Sequence, residues 1–163
     1  MRLLWIALAF SVPLQAQAFC FQEAGQRYQV DPLLLEAIAI WESNLRPGAV
    51  NHNLDANGIE LSADYGVMQI NTANVNRLMK MGLIKNPHDL LADPCFNVQA
   101  GAWVLAQHLR VCGNTWRCLG SYNAGFSTAA AQETKRLNYA QQIRTVYNRL
   151  KALGAKPASI AIR

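Results

Sequence analysis

The apolar residues of the chain recur mostly every three or four positions, which is the spacing of helices that bury one face. Two helix starts are well marked, because Asp31-Pro32 and Asp93-Pro94 each place a capping acid before a proline that suits the first helical position. Gly113 is expected to end the helix that Asp93-Pro94 opens. The predicted helices cover residues 19–29, 33–43, 72–81, 94–111, 116–122 and 137–153.

Residues 49–64 interrupt this helical pattern. The stretch contains several Asn and Asp residues, with Asn57-Gly58 near its middle. Asn-Gly favours a tight turn between two antiparallel strands. We therefore expect a small β-hairpin or a long loop here, within a mostly α fold of the α+β class.

The N-terminal segment has the pattern of an export signal. Arg2 is followed by a run of ten largely apolar residues, 3–12, and then by Ala16-Gln17-Ala18, which is a small-x-small cleavage sequence. This predicts a secretory signal peptide over residues 1–18 and a single domain over residues 19–163. Because the apolar run is too short to span a bilayer, an uncleaved N-terminal anchor is the weaker alternative.

Export changes the interpretation of the four cysteines, which all follow the predicted signal peptide. An even number of cysteines in an oxidising compartment predicts two disulfides, and three pairings are possible. A zinc site is disfavoured, because the chain has no CxxC pair and its three histidines are far apart in sequence. No glycine-rich phosphate loop is present either, so we expect no metal and no cofactor.

The composition of the chain describes a globular protein with an uneven charge. Of 163 residues, 52% are hydrophobic and 15% are charged, a mix that can bury a core in one domain. Nine basic residues and one acid lie after residue 93, whereas the preceding part carries six basic and nine acidic residues. This asymmetry suits an anionic polymer as a partner, although a basic surface that only aids solubility is the alternative. A net charge of +5 is weak for a nucleic-acid binder.

Glu42 is the candidate with the clearest chemistry. It follows Leu35 by seven positions and Ile38 by four, so it lies on the apolar face of the predicted second helix. Desolvation there should raise the pKa of its carboxyl group, which suits a general acid near neutral pH. The alternative is an ordinary surface glutamate near a helix end.

A second acid, Asp64, follows the predicted hairpin in a polar setting, with Asn51, Asn53 and Asn57 in the preceding stretch. Two carboxyl groups, one in apolar and one in polar surroundings, are the arrangement that glycoside cleavage uses. The alternative is that Asp64 only braces the turn.

Five short segments stand out in order along the chain. They are WESN at 41–44, GVMQIN at 66–71, NVQAGAWVLA at 97–106, YNAG at 122–125, and ET at 133–134 with Tyr139. Together they resemble the motifs of lytic transglycosylases of the soluble-lytic-transglycosylase type: WESN is similar to the motif that carries the catalytic glutamate of that family, and GVMQIN is similar to its GLMQI signature. They span nearly all of the chain after the predicted signal peptide.

The resemblance implies a lysozyme-like fold and a periplasmic enzyme that cuts peptidoglycan at the β-1,4 bond between N-acetylmuramic acid and N-acetylglucosamine, leaving 1,6-anhydro ends. It implies Glu42 as the catalytic acid. The residues expected to contact sugar are Met68, Gln69, Asn71, Tyr122, Asn123 and Tyr139. For Met68, core packing is the competing interpretation.

The most similar subgroup is that of small exported enzymes that accompany secretion, conjugation or pilus machines. Members often share the Cys20-Phe21 start and the Pro94-Cys95 element, which implies a Cys20–Cys95 disulfide and leaves Cys112 to pair with Cys118.

The segment around Asp64 departs from the family pattern. Residues 62–66 resemble instead the segment in which C-type lysozymes place their second catalytic acid, so Asp64 is a supporting catalytic candidate. Two alternatives to a transglycosylase follow: a muramidase of lysozyme type, and a non-catalytic wall-binding assembly module.

Overall fold

The computed structural model describes residues 19–155 and Ile162, and the predicted signal peptide lies outside them. Within residues 19–155 the chain forms helices packed around one core and a small antiparallel sheet. The elements are α1 Phe21–Tyr28, α2 Pro32–Ser43, β1 Val50–Leu54, β2 Glu60–Tyr65, β3 Ile70–Asn71, α3 Thr72–Lys80, α4 Asp89–Ala92, α5 Pro94–Cys112, α6 Trp116–Leu119, α7 Ser121–Ala124 and α8 Ala130–Ala152. The mostly α fold of the α+β class is confirmed.

Both predicted helix starts are capped by the expected acidic side chain. The Asp31 side chain accepts a hydrogen bond from the backbone N–H of Leu33 at 3.0 Å, and Asp93 accepts one from Phe96 at the same distance. In both helices the following proline occupies the first turn, where its missing N–H costs no hydrogen bond. The structure thus begins α2 and α5 at the predicted positions.

Four elements differ from the expectation. Helix α8 begins at Ala130, seven residues before the predicted start at 137. Strand β3 and helix α4 were not predicted, and both are short, with two and four residues. The helix predicted over 116–122 is divided at Gly120 into α6 and α7.

Helix α2 forms the centre of the fold and is mostly buried. Its residues Leu35 and Ile38 are fully excluded from solvent, and the helix contacts α1, α5 and α8. Tyr147 of α8 donates a hydrogen bond to Asp31 at 2.7 Å, which joins the start of α2 to α8. Glu42 lies at the other end of this helix, in its last turn.

The sheet has the order β1-β2-β3 with antiparallel pairing throughout. Asn51 of β1 is opposite Asp64 of β2, which is opposite Asn71 of β3. The turn between β1 and β2 contains Asn57-Gly58, and Gly58 has the positive φ of 78° that such turns favour in glycine. The predicted hairpin is present and gains a third strand.

Two disulfides join Cys20 to Cys95 and Cys112 to Cys118. This is the pairing that the family resemblance implied, among the three that the residues alone left open. The first bond links the start of α1 to the start of α5, across a sequence separation of 75 residues.

Among the residues that the structure describes, no helix has the length and apolar character needed to cross a membrane.

Candidate active site

A cleft of about 270 Å³ lies between the C-terminal end of α2, the sheet and helix α7. Six of the residues predicted to form a site meet here, although they are spread over more than 80 positions of the chain. The lining residues are Glu42, Asn53, Ser62, Asp64, Gln69, Asn71, Tyr122 and Asn123. Polar groups dominate the lining, which suits a ligand with many hydroxyl and amide groups.

Glu42 lies in the last turn of α2 with its side chain largely buried. The hydroxyl group of Tyr139 donates a hydrogen bond to its Oε1 atom at 2.5 Å. Burial raises the pKa of Glu42 from its ordinary 4.5 to about 7; the bond from Tyr139 opposes this rise, and the negative charge of Asp64 adds to it. Near neutral pH, a large fraction of Glu42 is therefore protonated and can donate a proton.

The residue after Glu42 fixes the end of α2 against the cleft. Ser43 is buried, and its hydroxyl group lies 2.9 Å from the carbonyl oxygen of Val67 and 3.1 Å from that of Ala39. Asn44 then ends the helix in the left-handed conformation, with a φ of 53°. The Ser43 contact to Val67 joins the helix that carries Glu42 to the 66–71 segment.

Asp64 occupies the middle strand of the sheet, on the cleft. Its Oδ2 atom accepts hydrogen bonds from the side-chain amides of Asn53 at 2.9 Å and Asn51 at 3.4 Å. The amide of Asn53 also donates to the hydroxyl group of Ser62 at 3.1 Å. Asp64 is thus held by neutral amides, whereas Glu42 is largely buried and accepts a hydrogen bond from a phenol.

The 66–71 segment is held by a buried side chain that the sequence analysis did not single out. Asn97 of α5 is fully buried and accepts a hydrogen bond from the backbone N–H of Met68 at 2.8 Å. Its amide group donates to the carbonyl oxygens of Tyr65 at 2.9 Å and Leu90 at 3.1 Å. The sequence offered one signal of this role, since Asn97 is a polar residue on the apolar face of a predicted helix.

The close approach of Asn97 requires a glycine in the facing segment. Gly66 has a φ of 75°, and a β-carbon there would lie 2.2 Å from the side-chain nitrogen of Asn97. The GVMQIN segment therefore begins with a residue that has no side chain.

The expectation that the Met68 side chain lines the cleft is wrong. This side chain is fully buried, and a β-carbon at Gly101 of α5 would meet it at 2.7 Å. Core packing, the competing interpretation, is correct, since an unbranched thioether fills the space over the glycine. Met68 contributes to the site through its backbone, because its carbonyl oxygen accepts a hydrogen bond from Tyr122 at 2.8 Å.

The other predicted contact residues lie in or beside the cleft. Gln69 has a φ of 47° and donates from its side-chain amide to the carbonyl oxygen of Gly66 at 2.8 Å. Asn71 caps α3 by accepting a hydrogen bond from the N–H of Asn74 at 3.0 Å. Burial and the nearby acids raise the pKa of Tyr122 well above its usual range, so this phenol stays neutral.

Two lining residues, Asn53 and Ser62, were missing from the predicted site. Alternation along β2 places Ser62 on the same face as Asp64, and the β1–β2 register pairs Ser62 with Asn53. The alternation of side chains along the predicted hairpin would have placed Ser62 on the cleft face together with Asp64. The position of Asn53 opposite Ser62 follows only from the pairing register of β1 and β2.

Within residues 19–155, side chains of the kinds that bind metal ions come together at one place, where Cys20, Glu23 and Cys95 lie close to one another. The two sulfur atoms of that cluster form a disulfide, so they offer no thiolate to a metal ion.

All the residues that line the cleft lie within the part of the chain that one family model matches. The family model described as "Transglycosylase SLT domain" matches residues 19–146. The chain is 45% identical to a "Peptidoglycan-binding-like protein" of Escherichia coli O157:H7, over 88% of this chain and 84% of that protein. It is 39% identical to "Invasion protein IagB" of Salmonella typhimurium (strain SL1344), over 86% of this chain and 82% of that protein. It is 38% identical to "Protein IpgF" of Shigella flexneri, over 93% of each chain.

Proposed function

Because the chain belongs to the family of transglycosylase SLT domains, we propose that it is a lytic transglycosylase that acts on the glycan strands of peptidoglycan. The observation that carries this proposal is the carboxyl group of Glu42, which lies in a polar cleft and has a pKa of about 7. A group that is protonated and ionised in similar amounts near neutral pH can act first as an acid and then as a base.

The proposed cleavage breaks the β-1,4 bond between N-acetylmuramic acid and N-acetylglucosamine. Glu42 donates its proton to the bridging oxygen, and the bond from that oxygen to C1 of the muramic ring breaks. The acetamido oxygen of the substrate stabilises the positive charge on C1. The ionised Glu42 then takes the proton from the C6 hydroxyl group, whose oxygen forms the new bond to C1. The product is a 1,6-anhydro sugar, and Glu42 is protonated again.

The neighbours of Glu42 support both steps. Tyr139 holds the carboxyl group in one orientation through the hydrogen bond to Oε1. Asp64 lies in the same cleft, where a negative charge stabilises the cationic ring in the transition state. Gln69, Asn71, Tyr122 and Asn123 offer amide and hydroxyl groups to the sugars.

Digestion of purified sacculi tests this proposal through the masses of the released fragments. We expect anhydro ends, whose mass is lower by one water than that of reducing ends. The Glu42→Gln variant should release none, whereas Glu36→Gln, a change on the same helix outside the cleft, should cleave as the wild type does. Products with reducing ends alone would contradict the transglycosylase assignment.

A muramidase of lysozyme type is the second candidate, and the presence of Asp64 in the cleft with Glu42 favours it. In that enzyme a water molecule attacks C1 and reducing ends form. A non-catalytic wall-binding module is the third candidate, supported by the name of the Escherichia coli relative. Release of no fragments by the wild-type chain would favour that module.

We further propose that residues 1–18 export the protein to the periplasm, where it opens the wall locally for a secretion, conjugation or pilus apparatus. The two disulfides support export, because such bonds persist in oxidising compartments. The name of the Salmonella relative, an invasion protein, supports the association with such an apparatus. Proteolytic cleavage after Ala18 in exporting cells, detected as the N-terminus of the mature protein, tests the first step.

A further inference from the structure

A second depression, of about 320 Å³, lies next to the cleft, between the C-terminal end of α2 and helix α8. Asn123 lines both the cleft and this depression, so the two are adjacent. Tyr139 forms part of its wall while its hydroxyl group binds Glu42. A substrate bound at Glu42 can therefore extend into the second depression without crossing the body of the protein.

The depression continues between α2 and α8 into a third hollow, of about 270 Å³. Trp41 and Gln142 line both the second depression and this hollow. We call the two together the α2–α8 groove. The charged residues that α8 contributes to it are Lys135 and Arg149. Fourteen residues of helix separate these two, which corresponds to about 21 Å along the axis.

An exposed aromatic residue, Trp41, lines the α2–α8 groove along both of its parts. Trp41 is 46% exposed although it directly precedes the buried Glu42. The apolar residues Val146 and Leu150 line the far end. An exposed indole beside a cleft is typical of a surface that packs against a ligand.

The charged residues that line the α2–α8 groove are all basic. Lys135 and Arg149 line it, and no acidic side chain does so within residues 19–155. The acid of α8 that is near Lys135 in sequence, Glu133, is already bound to Arg117 and Arg136. The α2–α8 groove therefore suits an elongated ligand that carries carboxylates and small apolar groups.

We propose that the α2–α8 groove binds the acidic stem peptide of the glycan strand, with Lys135 and Arg149 pairing with its carboxylates and Trp41 packing on its methyl groups. The proposal rests on the proposed function, since it assigns a second part of the same substrate to a surface next to Glu42. In the proposed function the muramic ring binds at Glu42, and the stem peptide extends from that ring. Asn123 lines both the cleft and the α2–α8 groove, so the groove is within reach of a peptide attached there. A bare saccharide has no groups that match the two cations.

The experiment compares glycan strands that keep their stem peptides with the same strands after an amidase has removed them. The test variant is Lys135→Gln with Arg149→Gln. The matched control is Lys80→Gln with Arg110→Gln, which removes the same charge from exposed residues outside the α2–α8 groove. The readout is the ratio of kcat/KM for stem-bearing strands to that for bare strands.

We expect this ratio to fall about tenfold in the test variant, mainly through KM, since exposed ion pairs each contribute modestly. The ratio should have its wild-type value in the double variant Lys135→Arg with Arg149→Lys, which keeps both positive charges, and it should not change in the control. An equal loss on both kinds of strand, or the same loss in the control, would overturn the proposal, because it would show a general charge effect.

A binding measurement separates this proposal from the proposed function. The Glu42→Gln background removes turnover, and calorimetry then gives the Kd for each kind of strand with and without the two groove substitutions. A selective weakening for stem-bearing strands supports the α2–α8 groove even if the wild-type chain forms no anhydro ends. Equal Kd values for the two kinds of strand would overturn it.

Discussion

The buried carboxyl group of Glu42 should make the protein less stable as the pH rises, and Glu42→Gln should remove that effect. Burial raises the pKa of Glu42 from 4.5 to about 7, so the folded state binds a proton more tightly than the unfolded chain does. The free energy of unfolding therefore decreases between about pH 4.5 and pH 7. Above pH 7 the group is ionised in both states, and folding carries the whole cost of burying the charge.

The size of this effect follows from the pKa rise. Each unit of pKa corresponds to about 1.4 kcal/mol, so the cost of ionised Glu42 reaches about 3 kcal/mol above pH 7. Glutamine does not ionise, and its side-chain oxygen can still accept the hydrogen bond from Tyr139. We expect Glu42→Gln to be more stable than the wild type by about 2–3 kcal/mol at pH 8, and to differ little from it at pH 4.

Urea unfolding at pH 4, 6 and 8 measures this difference. Glu36→Gln is the control, because Glu36 is on the same helix and does not line the cleft. The reasoning is refuted if the advantage of Glu42→Gln is the same at all three pH values, or if this variant is the less stable one at pH 8. Either result would mean that Glu42 is well solvated in the folded protein.

Two further predictions concern the neighbours of Glu42. Tyr139→Phe removes the hydrogen bond that lowers the pKa of Glu42. The pH above which kcat/KM declines should therefore move upward from about 7. A pH–rate profile measures this shift, and a profile equal to that of the wild type would contradict the prediction. Asn97→Ala leaves the backbone groups of three residues without their buried partner and should lower the free energy of unfolding by about 3 kcal/mol, measured by urea unfolding. A loss below about 1 kcal/mol would show that water replaces the Asn97 amide.

Local sequence signals were sufficient for the helices that begin with a cap. Asp31 and Asp93 place the starts of α2 and α5 because their side chains bind the first backbone N–H groups. Helix α8 has no such mark, since Ala129 precedes it and offers no capping side chain. Its first turns also bury Arg136 rather than an apolar residue, and Glu133 and the carbonyl oxygens of the preceding loop satisfy that guanidinium group.

The cleft was predictable in its chemistry and less so in its detailed lining. Glu42 and Asp64 could be selected because one lies on the apolar face of a predicted helix and the other lies among polar residues at the predicted hairpin. Met68 could not be assigned, because its burial depends on Gly101 of a helix 33 positions away. Asn97 depends in the same way on the positions of three backbone groups that only the folded chain brings together.

The fold holds the cleft together through contacts between distant parts of the chain. Ser43 joins α2 to the 66–71 segment, Asn97 joins that segment to α5, and Tyr122 joins it to α7. These three side chains all bind backbone groups of residues 65–68 or 90, so the position of Glu42 relative to Asp64 is determined by buried hydrogen bonds.

The central claim is that Glu42 closes the sugar ring with the substrate's own hydroxyl group and without water. Digestion of sacculi in water enriched in ¹⁸O tests this claim directly, with mass spectrometry of the new glycan ends. We expect anhydro ends that contain no ¹⁸O. Reducing ends that each carry one ¹⁸O atom would contradict this claim and would identify a hydrolase, because they show that water attacks C1.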